Sequence, residues 1–188
     1  MKPTIGFALC GSFCTFRKAI DSLKALAQTY QIVPIASDAT YNTDTRFGTA
    51  EDFRHEIEEL CQSPMLHTLD AVEPLGPKKM LDLLVVAPCT GNTIGKLANG
   101  IADSPPTFAV KAHLRNARPV VLAISTNDGL SASAENIGKL LNRKHYYFVP
   151  FGQDSPQEKP YSLVANFELL PETVAFAMMK QQLQPILR

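Results

Sequence analysis

A continuous apolar run, residues 83–87, constrains the fold of this chain more than any other segment. It predicts a strand buried on both faces, which is typical of a parallel sheet covered by helices. We expect this strand to stop at Pro88, where the small and polar residues 89–93 lead into a helix over residues 93–101. Such a layout is typical of an anion-binding site, because the first N–H groups of a helix are unpaired and carry partial positive charge.

The same layout is also found where no ligand binds, since Ser, Thr and Asn side chains cap helices as readily as they hold phosphate oxygens. Two interpretations therefore stay open, a site for a phosphate-bearing ligand and a well-capped connection without one. A nucleotide-binding P-loop is excluded, because three residues rather than four separate Gly91 from Gly95 and because Leu97 stands where Ser or Thr would hold magnesium. Lys96, one turn into the helix, is expected to face solvent.

The composition narrows the class of protein. The length of 188 residues predicts a single domain spanning residues 1–188. Lys and Arg together number 18, as do Asp and Glu, so a net charge of zero gives no indication of nucleic acid or an anionic membrane as a partner. No segment approaches the roughly 20 apolar residues of a membrane span, and the cysteine and histidine spacing fits no metal site. We expect a cytoplasmic protein with free thiols.

Apolar runs alternate with helical patterns along the whole chain, which predicts a three-layer, doubly wound α/β domain with a parallel sheet. Pro34 marks its strand as an edge strand or a bulge. The strands are predicted at residues 5–10, 32–36, 83–87, 119–124 and 146–149, with a short one near 68–72. The helices are predicted at residues 16–27, 49–61, 93–101, 106–116, 132–141 and 166–182, and residues 152–162 are predicted to form a surface loop.

Ligands of such sheets bind at the carboxyl ends of the strands, which selects the turns at residues 11–15, 37–45, 88–93 and 125–131. In the first turn Gly11 permits a tight bend and Ser12 can cap a helix or bind a phosphate oxygen, but one glycine is not a dinucleotide fingerprint. The second turn is rich in hydroxyls and is interpreted either as a functional lid or as a solvated connection. In the fourth turn Asp128 precedes a glycine, which indicates a tight turn that could also face a ligand.

No catalytic triad emerges from the sequence. The four histidines fall outside the four turns, and each is interpreted as a surface or hydrogen-bonded core residue. Cys14 and Cys89 lie in the predicted site, so a reactive role stays open beside simple burial.

Three pieces of the sequence, Gly-Ser-Phe at 11–13, APCTGNTI at 87–94 and KLANGIAD at 96–103, resemble the flavoprotein family. The last two match its PATANTIAKxAxGIAD signature, and the family includes flavin-dependent cysteine decarboxylases and prenyl-flavin synthases. The resemblance implies a Rossmann-like or flavodoxin-like domain, FMN as cofactor and a homo-oligomer. The residues expected to bind the cofactor or its phosphate are Gly11, Ser12, Phe13, Ser37, Pro88, Thr90, Gly91, Asn92, Thr93, Ser125, Thr126, Asn127 and Asp128.

Residues 111–116, 118–122, 124–128 and 151–154 are similar to one branch of that family. This similarity implies a subunit of a sporulation oxidoreductase in the mother-cell cytoplasm. Such a subunit would act on a small dicarboxylate, with NADP on its partner subunit rather than on this chain.

Two departures from the family pattern bear on activity. The decarboxylases carry a catalytic histidine about eight residues before the position of Asp82, and residues 72–76 contain none, the nearest upstream being His67. The PAMN segment that contacts substrate in the decarboxylases is replaced by residues 125–128. Peptidyl-cysteine decarboxylation is therefore disfavoured. A flavin-dependent decarboxylase, a prenyl-flavin-type transferase and a non-catalytic partner subunit remain as alternatives.

Overall fold

Parallel strands form the centre of the sheet in the computed structural model, which describes residues 2–188. The strands are β1 (Thr4–Leu9), β2 (Gln31–Ala36), β3 (Leu83–Cys89), β4 (Val120–Thr126), β5 (Tyr146–Phe148), β6 (Phe151–Gly152) and β7 (Leu163–Ala165). Their order in the sheet is β2-β1-β3-β4-β7-β6, and β5 pairs in parallel with the first half of β4. The predicted α/β fold with a doubly wound sheet is confirmed, with an antiparallel pair, β6 and β7, added at one edge.

Helices cover both faces of the sheet. They are α1 (Phe16–Thr29), α2 (Asp38–Asn42), α3 (Ala50–Cys61), α4 (Leu69–Val72), α5 (Gly91–Asn99), α6 (Pro105–Leu114), α7 (Ala134–Leu141) and α8 (Leu170–Met178). Helix α1 contacts α3 and α8, and α5 contacts α6 and α7. Because every residue of β3 is buried between these layers, its apolar sequence is explained by its position in the sheet. Within residues 2–188 no helix combines the length and the apolar character needed to cross a membrane.

Two predictions around the edge of the sheet have different outcomes. Strand β2 lies at the end of the strand order, as Pro34 indicated. The short strand predicted near residues 68–72 is wrong, because Thr68 accepts a hydrogen bond from the Ala71 N–H at 3.4 Å and starts helix α4 there. The strand-like contact in this region is a single bridge between Leu66 and Ile35.

Three further boundaries differ from expectation. Strand β3 does not stop at Pro88 but continues to Cys89, and its pairing with β4 shifts register between Val86 and Cys89. The turn at 37–45 is not an open loop, since Ser37 accepts a hydrogen bond from the Thr40 N–H and caps the short helix α2. The closing helix begins later than predicted, at Leu170, after a short 3-10 turn.

The antiparallel pair at the sheet edge was not predicted. Residues Ser125 and Thr126 at the end of β4 pair with β7, while β4 residues 120–122 pair with β5. One strand edge is thus shared by two partners, one parallel and one antiparallel. The loop of residues 153–162, which joins β6 to β7, is thereby brought back to the carboxyl end of β4.

Candidate functional site

The first and fourth turns are joined by a cluster of three hydroxyl groups at the carboxyl ends of β1 and β4. The Oγ atoms of Ser12 and Ser125 lie 2.8 Å apart, and Thr15 Oγ1 lies 3.0 Å from Ser125 Oγ. Thr15 and Ser125 are buried, whereas Ser12 is half-buried. Because β1, β3 and β4 are parallel neighbours, their carboxyl ends meet at one edge, and the predicted first, third and fourth turns come together there.

Helix α5 begins at this edge with an N-terminal cap. Thr90 Oγ1 accepts a hydrogen bond from the Thr93 N–H at 3.3 Å. The N–H groups of Gly91 and Asn92, the first two residues of the helix, have no acceptor within the helix, as in any helix start. The Asn92 side chain is exposed beside them. The helix start can therefore donate hydrogen bonds to an anion.

Asp128 packs the fourth turn against the start of α5. Its Oδ1 accepts hydrogen bonds from the hydroxyls of Thr126 and Ser133, the latter at 2.9 Å. A Cβ atom on Gly91 would lie 2.6 Å from Thr126 Oγ1 and 2.9 Å from Asp128 Oδ1. A side chain at this position would displace these oxygens, and the Asp128 carboxylate is engaged by two hydroxyls beside Gly91.

Two cavities lie at this edge of the sheet, and the larger one, of about 470 Å³, opens at the start of α5. The cavity lies between the ends of β1, β2 and β3, and its lining is mainly small and polar. Its lining residues are Cys10, Gly11, Ser37, Asp38, Ala39, Thr90, Asn92, Thr93, Lys96 and Ser104. The expectation that Lys96 faces solvent is wrong, because its side chain is only 25 % exposed and its Nζ lies 2.8 Å from Asp103 Oδ1. One cation thus stands beside the hydroxyls and free N–H groups.

A smaller cavity of about 230 Å³ lies on the other side of Gly11 and Thr90, which line both cavities. Its wall carries the hydroxyl cluster and the end of β4, and the loop of residues 153–162 covers it. Its lining residues are Gly11, Ser12, Cys14, Thr15, Thr90, Gly91, Ser125, Thr126, Asn127, Asp154, Lys159, Ser162 and Val164.

The two cavities account for most of the site residues predicted from the sequence. Gly11, Ser37, Thr90, Asn92 and Thr93 line the larger cavity. Gly11, Ser12, Thr90, Gly91, Ser125, Thr126 and Asn127 line the smaller one. Phe13, Pro88 and Asp128 line neither: Pro88 is buried within β3, and the ring of Phe13 packs 5.9 Å from that of Phe16.

Sequence reasoning missed Lys159 and Asp154 in the smaller cavity and Lys96 in the larger one. The loop that carries Lys159 and Asp154 reaches the site because β7 pairs with β4. The signal for that pairing is a three-residue apolar strand, which is too short to identify in a sequence.

The cysteines divide into buried and accessible thiols. Burial raises the pKa of Cys10 to about 11 and raises that of Cys89 well above its ordinary value. Both therefore stay protonated and are poor nucleophiles at neutral pH. Cys14 is exposed and lines the smaller cavity, so of the two cysteines singled out in the sequence it is the accessible one.

No histidine among the described residues lines either cavity. His113 is buried, its Nε2 lies 3.0 Å from the Pro119 carbonyl oxygen, and burial lowers its pKa to about 4. The ring of His67 stacks on Tyr41 with a centroid distance of 3.6 Å. Within residues 2–188, no three His, Cys, Asp or Glu side chains converge as metal ligands.

Comparisons with known proteins identify the family of this chain. Residues 1–165 match the sequence model of the Flavoprotein family. The dipicolinate synthase B subunit of Bacillus subtilis (strain 168) is 45 % identical over 184 residues, which cover 97 % of this chain and 92 % of the relative. The crystal structure of the dipicolinate synthase B subunit from Bacillus halodurans C superposes with a TM-score of 0.91 at 42 % identity, covering 99 % of this chain and 96 % of that one.

A structure of much lower sequence identity shares the same fold. Burkholderia xenovorans DmrB, solved in complex with FMN, has a TM-score of 0.70 at 15 % identity, over 95 % of this chain and 97 % of that one. At this level of identity the likeness concerns the fold alone. The match over most of its length and the high identity to a relative of nearly equal size establish that this chain belongs to the flavoprotein family, in the branch that contains the B subunit of dipicolinate synthase.

Proposed function

We propose that this chain acts as the B subunit of dipicolinate synthase, converting dihydrodipicolinate to dipicolinate together with an A subunit in the mother-cell cytoplasm during sporulation. The observation that carries this proposal is the 45 % identity over 97 % of the chain to a protein of that name. The structural match to a second such B subunit, with a TM-score of 0.91, supports it.

We propose FMN as the cofactor of this chain, with its phosphate in the larger cavity. The lining fits such a group, because it offers hydroxyls, the first N–H groups of α5 and one ammonium group at the same place. Thr90 and Ser37 are engaged in capping α5 and α2, which leaves Asn92 and Lys96 as the side chains that would contact a phosphate. FMN, when bound, supplies two-electron redox chemistry, which matches a conversion that removes two electrons and two protons.

Residues outside the larger cavity hold the elements that line it. The start of α5 packs closely at Gly91 against the Thr126 and Asp128 side chains, and the hydroxyl cluster of Ser12, Thr15 and Ser125 joins the first turn to β4. Fixed donors stabilise a bound anion more effectively than mobile ones, because they need not be reorganised on binding.

In this proposal the electrons pass to NADP bound on the A subunit. The first turn of this chain contains Gly11 as its single glycine and therefore lacks the glycine pattern of a dinucleotide site. We propose a homo-oligomer of this chain within the complex, in line with the assemblies of its family.

The test is co-purification with the A subunit, an absorbance scan and a dipicolinate assay in which each subunit is omitted in turn. We expect a yellow complex that forms dipicolinate with both subunits present. The double variant Ser12→Ala with Asn92→Ala should lose most of the activity while the complex stays intact, and Lys24→Gln on the exposed face of α1 serves as the matched control.

The remaining functions are distinguished by the same assay. Full activity of the double variant would show a non-catalytic partner subunit whose site is not used. A yellow protein that forms no dipicolinate with the A subunit would instead favour a decarboxylase or a prenyl-flavin transferase. The decarboxylase is less well supported, since among the described residues no histidine lines either cavity.

A further inference from the structure

The smaller cavity is separated from the proposed phosphate cavity by Gly11 and Thr90, and its wall includes residues 125–127, which replace the segment that contacts substrate in the decarboxylases. It measures about 230 Å³, which is the size of a small organic acid rather than of a nucleotide. Its position beside Gly11 and Thr90 places any occupant next to the larger cavity.

The loop of residues 153–162 is fastened over this cavity at several points. The Gln153 side-chain amide donates to the Pro160 carbonyl at 2.9 Å, and the Ser162 hydroxyl donates to the Thr126 carbonyl at 3.3 Å. The Leu130 N–H donates to the Tyr161 carbonyl at 2.9 Å. The Gln153 bond closes the loop on itself, and the other two bonds join the loop to the end of β4 and to the turn that follows it, so Lys159 is held at the mouth of the cavity.

Lys159 is the one cation among the residues that line the smaller cavity. Its Nζ lies 3.3 Å from Asp154 Oδ2, and the lysine side chain is 53 % exposed. An ion pair this exposed contributes little to stability, so the ammonium group can turn its other protons to a ligand without a large cost.

The inner wall of the cavity offers uncharged donors. Thr15 donates to the Ser12 carbonyl at 3.1 Å, and Ser125 can donate its proton to Ser12 Oγ at 2.8 Å, which leaves the Ser12 proton for a ligand. The Asn127 side chain is exposed and makes no hydrogen bond within the described part of the chain. Apart from Asp154, no acidic residue lines the cavity. Donors therefore predominate, and a carboxylate is the ligand group they suit.

We propose that Lys159 is the specificity-determining residue of the smaller cavity and that it binds a carboxylate of a small dicarboxylic acid. This inference rests on the proposed function for the identity of the acid. Lys159 supplies the charge, Ser12 and Asn127 supply hydrogen bonds, and the shared wall of Gly11 and Thr90 brings the acid beside the cofactor cavity.

The test is calorimetric titration of the intact chain with pyridine-2,6-dicarboxylate. Since hydrogen bonds to charged groups are the stronger class, Lys159→Gln should weaken binding about tenfold or more. Lys159→Arg keeps the charge and should stay within about threefold of the unsubstituted chain. The control Lys24→Gln removes an exposed lysine of α1 that lines neither cavity and should not change binding.

Unchanged binding in Lys159→Gln, with an unchanged melting temperature, would overturn the inference, as would the absence of binding to the unsubstituted chain. A steady-state assay with the A subunit separates this outcome from failure of the proposed function. We expect Lys159→Gln to raise KM for the dicarboxylate more than it lowers kcat. If the chain binds the acid through Lys159 but forms no dipicolinate with the A subunit, the carboxylate site stands and the proposed function fails.

Discussion

Ser12 and Ser125 are separated by 113 positions in sequence, yet their hydroxyl oxygens lie 2.8 Å apart. The first turn and the end of β4 are therefore held together by side chains and not only by the sheet. Ser125→Ala removes the central hydroxyl and should lower the free energy of unfolding by about 0.5–1.5 kcal/mol. Urea unfolding measures the change. Ser131→Ala, an exposed serine with one bond of 3.3 Å, is the control and should lose less; equal losses would argue against a special role for the cluster.

Gly91→Ala should be costly. The added methyl group would lie 2.6 Å from Thr126 Oγ1 and 2.9 Å from Asp128 Oδ1, so these side chains must move. We expect a loss of about 1–3 kcal/mol in unfolding free energy together with weaker binding of FMN. Gly138→Ala in α7 is the matched control, because no atom lies within 4 Å of its added methyl group. That variant should gain about 0.5–1 kcal/mol from helix propensity, and a stable Gly91→Ala would contradict the proposed close approach.

The buried His113 should make the free energy of unfolding depend on pH. Burial lowers its pKa from 6.5 to about 4, so between these values the unfolded chain binds more protons than the folded one. The contribution of the neutral imidazole to the free energy of unfolding is fully present above about pH 6.5. It should fall by roughly 3 kcal/mol as the pH drops through 4. Unfolding free energies measured across this window test it. His113→Gln should lose most of the pH dependence, whereas His55→Gln at an exposed position should keep it.

The four thiols should react in a defined order with a disulfide reagent. Cys14 is exposed and should react first, and Cys61, whose pKa burial raises to about 12, should react slowly. Cys10 and Cys89 should react only after unfolding. Because Cys14 lines the smaller cavity, pyridine-2,6-dicarboxylate should slow its modification. Cys14→Ser should abolish the fast phase, and a fast phase that survives this change would show that another thiol is accessible.

Lys96→Gln should weaken FMN binding about tenfold, because it removes the one cation beside the proposed phosphate position. Asp103→Asn removes the partner that Lys96 holds at 2.8 Å and leaves the ammonium group free, so affinity should be retained or increased. Flavin fluorescence quenching measures both. Equal losses in the two variants would indicate that the ion pair, rather than the charge of Lys96, matters.

The centre of the fold could be predicted from sequence, because burial on both faces leaves a direct trace in composition. Residues 83–87 were predicted as a buried strand and lie within β3, and Pro34 correctly marked β2 as the edge. The failures lie where local hydrogen bonds decide the outcome. Thr68 caps a helix in place of a strand, and Ser37 does the same in a turn interpreted as a lid or a solvated connection.

The candidate site was predictable in part from the topology of a parallel sheet. Turns that follow parallel strands must meet at one edge, so Ser12, Thr90 and Ser125 could be grouped from the sequence alone. Lys159 could not, since it reaches that edge through an antiparallel strand of three residues. The sequence predicts a solvent-facing Lys96, since residue spacing alone does not show that Asp103 holds the lysine side chain at the cavity.

The wall made by Gly11 and Thr90 belongs to both cavities, and this has a thermodynamic consequence. An occupant that shifts either residue on one side alters the affinity on the other, and linkage requires the effect to be reciprocal. The proposed cofactor and the proposed acid would then be coupled through two residues, and the sign of that coupling decides whether binding of one strengthens or weakens binding of the other.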